Sequence, residues 1–234
     1  MKGSPSTGQI AFQFPLTEEF VFSDFAIAGN EELVAHLQSL DANPRFSMTW
    51  VWGLPGRGKT HLLQAVCHSH TGAVAYLPAR SIVPEASKME VLEGIGGYQL
   101  VIIDDLDVWI GHREPEAQLM ALYTSMLQNC GHLVVSSQYS PKTPCFSLPD
   151  FASRARAGEI YEVNPVAEYE LPKLLTRWAK RRGLALEPEV VTYWLSRKPR
   201  ELSSLLKDLD ALDNASLSRV RRLTVPFLRD VLNL

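Results

Sequence analysis

Residues 53–60 read Gly53-Leu54-Pro55-Gly56-Arg57-Gly58-Lys59-Thr60, a full match to the pattern G-x-x-x-x-G-K-[ST]. The preceding residues, 46–52, form an apolar run typical of a buried strand, and residues 61–66 continue with the apolar spacing of a helix. Glycines let the backbone curl so that its N–H groups face a polyphosphate, and the N-terminal end of the new helix adds positive charge. The stretch therefore predicts a strand, a phosphate-binding loop and a helix.

The residue types in this loop suggest individual roles. Lys59 is expected to reach the β- and γ-phosphates, and the Thr60 hydroxyl is expected to hold Mg²⁺. We predict that residues 53–60 and His61 bind ADP or ATP together with its magnesium ion. The alternative is a glycine-rich turn followed by a chance Lys-Thr pair, and the strand and helix on either side argue against it.

Composition limits the class of protein. The chain has 234 residues and is 46% apolar, so it can bury a large core and global disorder is excluded. No apolar run reaches the roughly 18 residues that a membrane helix needs. The N-terminus lacks the charged-then-apolar pattern of a signal peptide, so we expect a cytoplasmic protein with no membrane partner.

Charge is distributed unevenly along the chain. The net charge is −3, but residues up to Val163 contain 10 basic and 17 acidic side chains, whereas those from Asn164 onward contain 13 basic and 9 acidic ones. This asymmetry predicts two parts with different surfaces. The basic part could meet nucleic acid or an acidic partner, or it could be a solvated helical surface.

The order of predicted elements indicates the fold class. Strand-like runs at 46–52, 73–77, 99–104, 132–137 and 160–163 alternate with helical stretches at 60–70, 84–93, 115–129 and 148–155. Only helical stretches follow, at 168–182, 187–197, 199–215 and 225–232. Short apolar strands separated by helices indicate a parallel sheet covered on both faces. We therefore predict a flexible tail (1–19), an α/β nucleotide-binding base with a five-stranded parallel sheet (20–164) and an all-helical lid (165–234).

Two further strands end in polar side chains. One ends in Asp104 and Asp105, beside the predicted loop; Asp104 is expected to hold the magnesium site and Asp105 to orient or activate an attacking water. In additional-strand ATPases another strand lies between these two and presents a γ-phosphate sensor. Ser137 and Gln138 are the candidates for that sensor, and ordinary strand-end capping is the alternative.

Two arginines are singled out by their order along the chain. Arg154 stands late in a short predicted helix after the sensor strand, where a planar guanidinium would suit phosphoryl-transfer charge on a neighbouring subunit. Arg200 begins a lid helix, from which it could reach back to the nucleotide. A solvated arginine on a helix surface is the alternative for Arg154.

These motifs together resemble a known family. Residues 56–63, Gly-Arg-Gly-Lys-Thr-His-Leu-Leu, resemble the phosphate loop of the bacterial replication initiator DnaA and its relatives. Residues 148–154 resemble that family's arginine-finger box, and residues 199–202 its second sensor. Over essentially its whole length the chain is similar to the DnaA-homologous regulatory proteins of the Hda type. The resemblance implies an AAA+ base, a nucleotide cofactor and an Arg154 that acts in trans; Gln138 departs from the acid expected in the first-sensor box.

The two ends of the chain add to the resemblance. After residue 232 we expect no room for the helix-turn-helix domain of an initiator, and before residue 20 no helicase-recruiting domain. Gln9, Ile10, Phe12 and Phe14 look instead like the peptide with which replication proteins dock on the DNA polymerase sliding clamp. In that peptide a glutamine is the anchor and apolar side chains fill a hydrophobic pocket. The alternative is that Ile10 and Phe12 fold back onto the domain.

The expectations favour a nucleotide-bound regulator of replication initiation. Its tail would bind the sliding clamp (the β subunit), it would meet DNA mainly through that clamp, and Arg154 would act on ATP held by the DnaA initiator to prevent re-initiation. A homo-oligomer is also compatible with the resemblance. The alternatives are a DnaC-like helicase loader, which should carry a helicase-binding extension, and a stand-alone P-loop small-molecule kinase, which should carry an arginine-rich lid.

Overall fold

The computed structural model describes residues 16–17, 20–82, 92, 94–143, 145–216 and 222–234. Two predictions lie outside these residues. They are the clamp-binding peptide formed by Gln9, Ile10, Phe12 and Phe14, and nearly all of the helix predicted at 84–93. Both stay predictions.

A five-stranded parallel sheet forms the centre of the base. Its strands are β1 Ser47–Trp52, β2 Val74–Pro78, β3 Leu100–Asp104, β4 His132–Ser137 and β5 Glu159–Glu162. They lie in the order β2-β3-β4-β1-β5, and each pairing is parallel. β4 lies between β1 and β3, as an additional-strand ATPase requires. The predicted five-stranded parallel sheet is therefore confirmed.

Helices cover both faces of this sheet. Within the described residues of the base, the α-helices are α1 Glu31–Ser39, α2 Lys59–Ser69, α3 Arg113–Gln128 and α4 Pro149–Ala157. We did not predict α1 from the sequence. Its nine residues bury only Leu33, Val34 and Leu37, a run too short for its helical period to stand out.

The two faces of the sheet carry separate cores because successive strand residues point in opposite directions. Val51 of β1 packs in the core that includes Leu62 of α2. Trp50, its neighbour, packs in the other core with Leu122 of α3 and Phe151 of α4. Helices α2 and α4 therefore cover opposite faces of the sheet.

A helical lid follows the base, as predicted. It contains α5 Leu171–Arg181, α6 Pro188–Arg197, α7 Leu202–Ser216 and α8 Val225–Leu232, which share a core of their own. It also contains two parallel two-residue strands, β6 Ala185–Leu186 and β7 Arg222–Leu223, which we did not predict. Helix α7 begins three residues later than predicted, because the Glu201 carbonyl accepts the first helical hydrogen bonds from Ser204 and Leu205.

Side chains of the lid hold the segment that leads into the base. Trp178 Nε1 donates to the Asp24 carbonyl over 3.2 Å, and Arg181 pairs with the buried Asp24 carboxylate. At the junction after β5, Asn164 N–H donates to Asn30 Oδ1 over 2.8 Å. These contacts join the lid and the start of the base through polar groups as well as through packing.

Two histidines are built into the amino-terminal edge of the sheet. The His132 ring lies 2.8 Å from the Ser47 hydroxyl through Nδ1 and 3.0 Å from the Asn43 carbonyl through Nε2. His36 Nε2 lies 2.8 Å from the Thr49 hydroxyl. Burial lowers the pKa of both histidines, because it disfavours the charged ring.

These histidines predict a pH-dependent stability. Below their ordinary pKa of 6.5 the unfolded chain binds protons that the folded chain does not, so the free energy of unfolding should fall as the pH drops through this range. The variant His132→Gln keeps a neutral polar side chain and should reduce this loss. Thermal melts of wild type and variant at pH 8 and pH 5.5 measure it. The control is His68→Gln, at an exposed histidine, and an identical pH dependence in all three proteins would contradict the prediction.

Candidate functional site

The predicted phosphate-binding loop connects β1 to α2, and its glycines are required by the backbone. Gly56 and Gly58 have φ of 78° and 89°, in the left-handed region that side chains disfavour. A Cβ atom on Gly58 would lie 2.9 Å from a ring carbon of Phe25, so any other residue there would require that buried ring to move. Gly53 N–H donates to the Ser137 carbonyl over 3.2 Å, which ties the start of the loop to β4. The loop is therefore a tight curl at the carboxyl edge of the sheet.

Lys59 lies inside this curl. Its Nζ donates to the carbonyls of Gly53 and Leu54 over 2.7 and 3.3 Å, and the residue is only 8% exposed. Burial lowers the pKa of Lys59, and the nearby carboxylates, Asp105 first, partly oppose that effect. The positive charge of the ammonium group is thus held at the centre of the loop.

The rest of the loop also suits an anionic ligand. Arg57 Nη1 is buried, and it has no hydrogen-bond partner among the residues that the structure describes. Thr60 is partly buried in the first turn of α2, while Leu54 and Pro55 are exposed at the tip. Curled backbone, a buried ammonium and an unpartnered guanidinium nitrogen together fit a polyphosphate with its magnesium ion.

Asp104, at the end of β3, is held by two hydroxyl groups. Tyr76 donates to its Oδ2 over 2.8 Å, and Ser136 donates to its Oδ1. Asp104 is 4% exposed. Its strand, β3, pairs with β4, and β4 pairs with β1, the strand before the phosphate-binding loop. The orientation of the carboxylate is therefore set before any cation binds.

The Asp105 carboxylate has a different partner from that of Asp104. The residue adopts a left-handed backbone conformation with φ of 55°, and its N–H donates to the Ser136 hydroxyl over 2.8 Å. Its carboxylate accepts a hydrogen bond from Arg80 Nε over 2.8 Å. In this arrangement the residue expected to orient water is engaged in an ion pair with Arg80.

The two predicted sensor residues are bound to a residue that the sequence reasoning missed. Ser137 Oγ donates to Asp107 Oδ1 over 2.7 Å, and the Gln138 N–H lies 2.9 Å from both carboxylate oxygens of Asp107. Asp107 therefore links the end of β4 to the turn after β3. Asp107 is the third acid in the run Asp-Asp-Leu-Asp, and that run could have indicated its role. We expected an acid in the first-sensor box, where Gln138 stands, and Asp107 supplies that acid from the turn after β3.

His61 packs against residues 20–21, at the start of the base. Its ring stacks on Phe20 with centroids 4.9 Å apart, and its Nε2 lies 2.9 Å from the Val21 carbonyl. Burial lowers the pKa of His61, which favours a neutral ring. A small cleft, partly open to solvent, lies between this ring and lid residues that include Trp178 and Leu206.

A chain of hydrogen bonds connects the tail to Asp104. Thr17 N–H donates to Gln64 Oε1 over 2.7 Å, and Gln64 Nε2 donates to the Tyr76 hydroxyl over 3.3 Å. Tyr76 in turn donates to Asp104. Neither Gln64 nor Tyr76 was singled out from the sequence, because their partners lie far away along the chain.

Arg200 does not contact the phosphate-binding loop in this structure. Its guanidinium pairs with Glu168, in the turn before α5. The neighbouring Glu201 comes closer, since its Oε1 lies 3.9 Å from the position that a Cβ on Gly56 would occupy. The start of α7 thus approaches the loop, but it presents a carboxylate there.

Arg154 is remote from the loop. It is exposed on α4 and lies over the Tyr123 ring of α3, with its guanidinium carbon 5.7 Å from the ring centre. Its helix covers the face of the sheet opposite to α2. The structure therefore brings together the loop, Asp104 and the two sensor residues, and it leaves Arg154 outside that group.

Comparison with known proteins places the chain in a family. The model for the bacterial DnaA ATPase domain matches residues 16–157, and the model for the Hda lid domain matches residues 168–232.

No helix in the described part of the chain is long and apolar enough to span a membrane.

Solved structures agree in fold. Domain III of the Thermotoga maritima replication initiation protein DnaA is 17% identical, with a TM-score of 0.79 over 94% of this chain and 98% of that one. AMPPCP-bound DnaA from Aquifex aeolicus is 19% identical, with a TM-score of 0.69 over 88% of this chain and 69% of that one. The RuvB Holliday junction branch migration motor of Thermotoga maritima is 14% identical, with a TM-score of 0.64 over 94% and 72%. The chain belongs to the DnaA-related AAA+ family and combines a DnaA-type ATPase domain with an Hda-type lid domain.

Proposed function

We propose that this chain is a nucleotide-bound regulator of bacterial replication initiation, which docks on the DNA polymerase sliding clamp and stimulates hydrolysis of ATP held by DnaA. The observation that carries the proposal is the position of Arg154. This residue stands in the stretch, 148–154, that resembles the family's arginine-finger box, and it is exposed on the face of the sheet opposite to the helix that follows its own phosphate-binding loop. From there it would serve a nucleotide on another protein and not the nucleotide of its own chain.

The proposed cofactor is ADP or ATP, held by residues 53–60 and His61. Lys59 and the backbone N–H groups of the curl would bind the phosphates, and Arg57 would gain the partner that its buried nitrogen lacks among the described residues. Thr60 and Asp104 would hold Mg²⁺, which neutralises phosphate charge when bound. Arg200 would act as the second sensor only after leaving Glu168.

We divide the chain into a tail (1–19), a base (20–164) and a lid (165–234). A lid core separate from the two cores of the base supports this division. In the tail, Gln9 would anchor the clamp-binding peptide, and Ile10, Phe12 and Phe14 would fill an apolar pocket on the clamp. DNA would then be met mainly through the clamp, and DnaA through the surface around Arg154.

The first test concerns the phosphate-binding loop. Lys59→Ala removes the buried ammonium group, so nucleotide affinity should fall roughly 10- to 100-fold, about 1.4–2.8 kcal/mol. Titration calorimetry with ADP measures the affinity. ADP should also raise the melting temperature of the wild type and of the control Lys173→Ala, an exposed lid residue, by mass action. If ADP stabilised none of these proteins, the nucleotide assignment would fail.

The second test concerns the tail. Truncating Phe12 and Phe14 together to Ala removes most of the apolar area offered to the clamp, and binding at micromolar concentration should be lost. Surface plasmon resonance on immobilised clamp measures this, and nucleotide affinity should not change. The control is Ile27→Ala, which truncates an exposed apolar residue in the base. Normal clamp binding by the double variant would place the docking site elsewhere in the chain.

The third test separates a regulator from an enzyme that acts on its own nucleotide. Arg154→Ala should keep the fold, the nucleotide affinity and clamp binding, but should lose most of the stimulation of ATP hydrolysis by DnaA in the presence of clamp on DNA. Well-placed arginine fingers contribute about 10³–10⁵ in rate. Arg156→Ala is the control on the same helix, because that side chain turns toward Phe146 and donates to the Pro141 carbonyl. Equal stimulation by all three proteins would refute the role of Arg154 in trans.

A further inference from the structure

Glu116 is a fully buried carboxylate in the first turn of α3, and it accepts three backbone hydrogen bonds. Its Oε1 accepts from Gly111 N–H over 2.7 Å and from Ser147 N–H over 3.0 Å. Its Oε2 accepts from Leu148 N–H over 2.6 Å. The side chain is 0% exposed. A buried acid so fully bonded to backbone donors organises the segments that supply those donors.

These segments belong to two different parts of the base. Gly111 lies in the turn that follows β3 and its acidic end, whereas Ser147 and Leu148 lead directly into α4. Leu148 is the N-cap residue of α4, and its own side chain makes no capping hydrogen bond. Glu116 therefore supplies, from 32 residues away in sequence, the acceptor at the start of α4.

Helix α3 holds α4 at a second point. Tyr123, two helical turns after Glu116 and so on the same face, lies under the Arg154 guanidinium. That guanidinium has no hydrogen bond to any residue that the structure describes, so its place depends on where α4 lies. The bond from Glu116 to Leu148 sets the start of α4, and packing of Phe151 and Ala155 sets its buried face.

We propose that Glu116 is a positioning residue for Arg154: it fixes the helix that presents the guanidinium to a nucleotide on a partner protein. This inference rests on the proposed role of Arg154 in trans. It assigns to Glu116 no contact with nucleotide or partner, and its effect is transmitted through the Leu148 N–H and α4.

The variant Glu116→Gln tests this link with little change in volume. An amide has one acceptor oxygen, and that oxygen best occupies the Oε1 position, where it keeps the bonds to Gly111 and Ser147. The amide NH₂ group then faces Leu148 N–H, donor against donor. The variant therefore releases the start of α4 while it leaves the turn after β3 attached. The matched control is Glu114→Gln, the same chemical change at an exposed position in the same turn of α3.

Two measurements on the full chain give the result. Hydrogen–deuterium exchange should show at least tenfold faster exchange at the Leu148 amide in Glu116→Gln, with wild-type protection at Gly111. Stimulated hydrolysis of ATP by DnaA, with clamp on DNA, should fall at least tenfold at saturating regulator. The concentration that gives half of the maximal stimulation should stay unchanged, as should ADP affinity. Glu114→Gln should match the wild type in both measurements.

A double-variant cycle then separates positioning from general damage. In the background Arg154→Ala, the change Glu116→Gln should cause no further loss of stimulation, because the two residues act through one group. Wild-type stimulation by Glu116→Gln, or an equal additional loss in the Arg154→Ala background, would overturn the inference. A fall in ADP affinity would also overturn it, since Glu116 would then act in the chain's own site.

If Glu116→Gln does not fold, Glu116→Asp provides the same test. This variant keeps the charge but withdraws it by one methylene, and it should also lower stimulation without affecting ADP affinity. Failure of the proposed function has a different signature, because wild type would then give no stimulation or Arg154→Ala would stimulate normally. The exchange rate at Leu148 reports on the positioning bond in either case.

Discussion

Parallel pairing of β4 with both β1 and β3 is the constraint on which the site depends. Each strand of a parallel set ends at the same edge, so this pairing brings Gly53, Ser137 and Asp104 together although they are separated by dozens of residues in sequence. The hydrogen bond from Gly53 N–H to the Ser137 carbonyl continues the pairing into the phosphate-binding loop. The order of the strands therefore sets the position of Lys59 relative to the acids at the end of β3, and no ligand is needed for it.

Carboxylates with assigned partners surround this edge. Asp104 is held by Tyr76 and Ser136, Asp107 binds the end of β4, and Glu116 holds the start of α4. Asp104 and Glu116 are buried, and a buried carboxylate is costly unless donors surround it, so these two acids fix the backbone or hydroxyl groups around them. Asp104, Asp107 and Glu116 thus fix separate segments of the base, from the end of β3 to the start of α4. This is a structural arrangement, and coupling between these segments is a question for double-variant cycles.

The lid is joined to the base in a way that leaves Arg200 free of the phosphate-binding loop. Asp24, Trp178 and Arg181 connect α5 to the entry segment, while Arg200 is paired with Glu168. In the second-sensor role proposed for Arg200, phosphate oxygens of a nucleotide would replace the exposed Glu168 carboxylate. Surface ion pairs contribute little free energy, so such an exchange would meet only a small barrier from the pair itself.

The sequence by itself determined the elements whose information is local. The phosphate-binding loop, the acids at the end of β3, the alternation of strands and helices and the helical stretches of the lid are contiguous or periodic, so they could be predicted. Only the tertiary structure decided that Asp107 binds Ser137, that Arg80 pairs with Asp105, that Arg200 pairs with Glu168 and that Glu116 caps α4. These partners lie 25 to 32 residues apart in sequence, and their meeting depends on strand order and helix packing, which no local pattern of residues encodes.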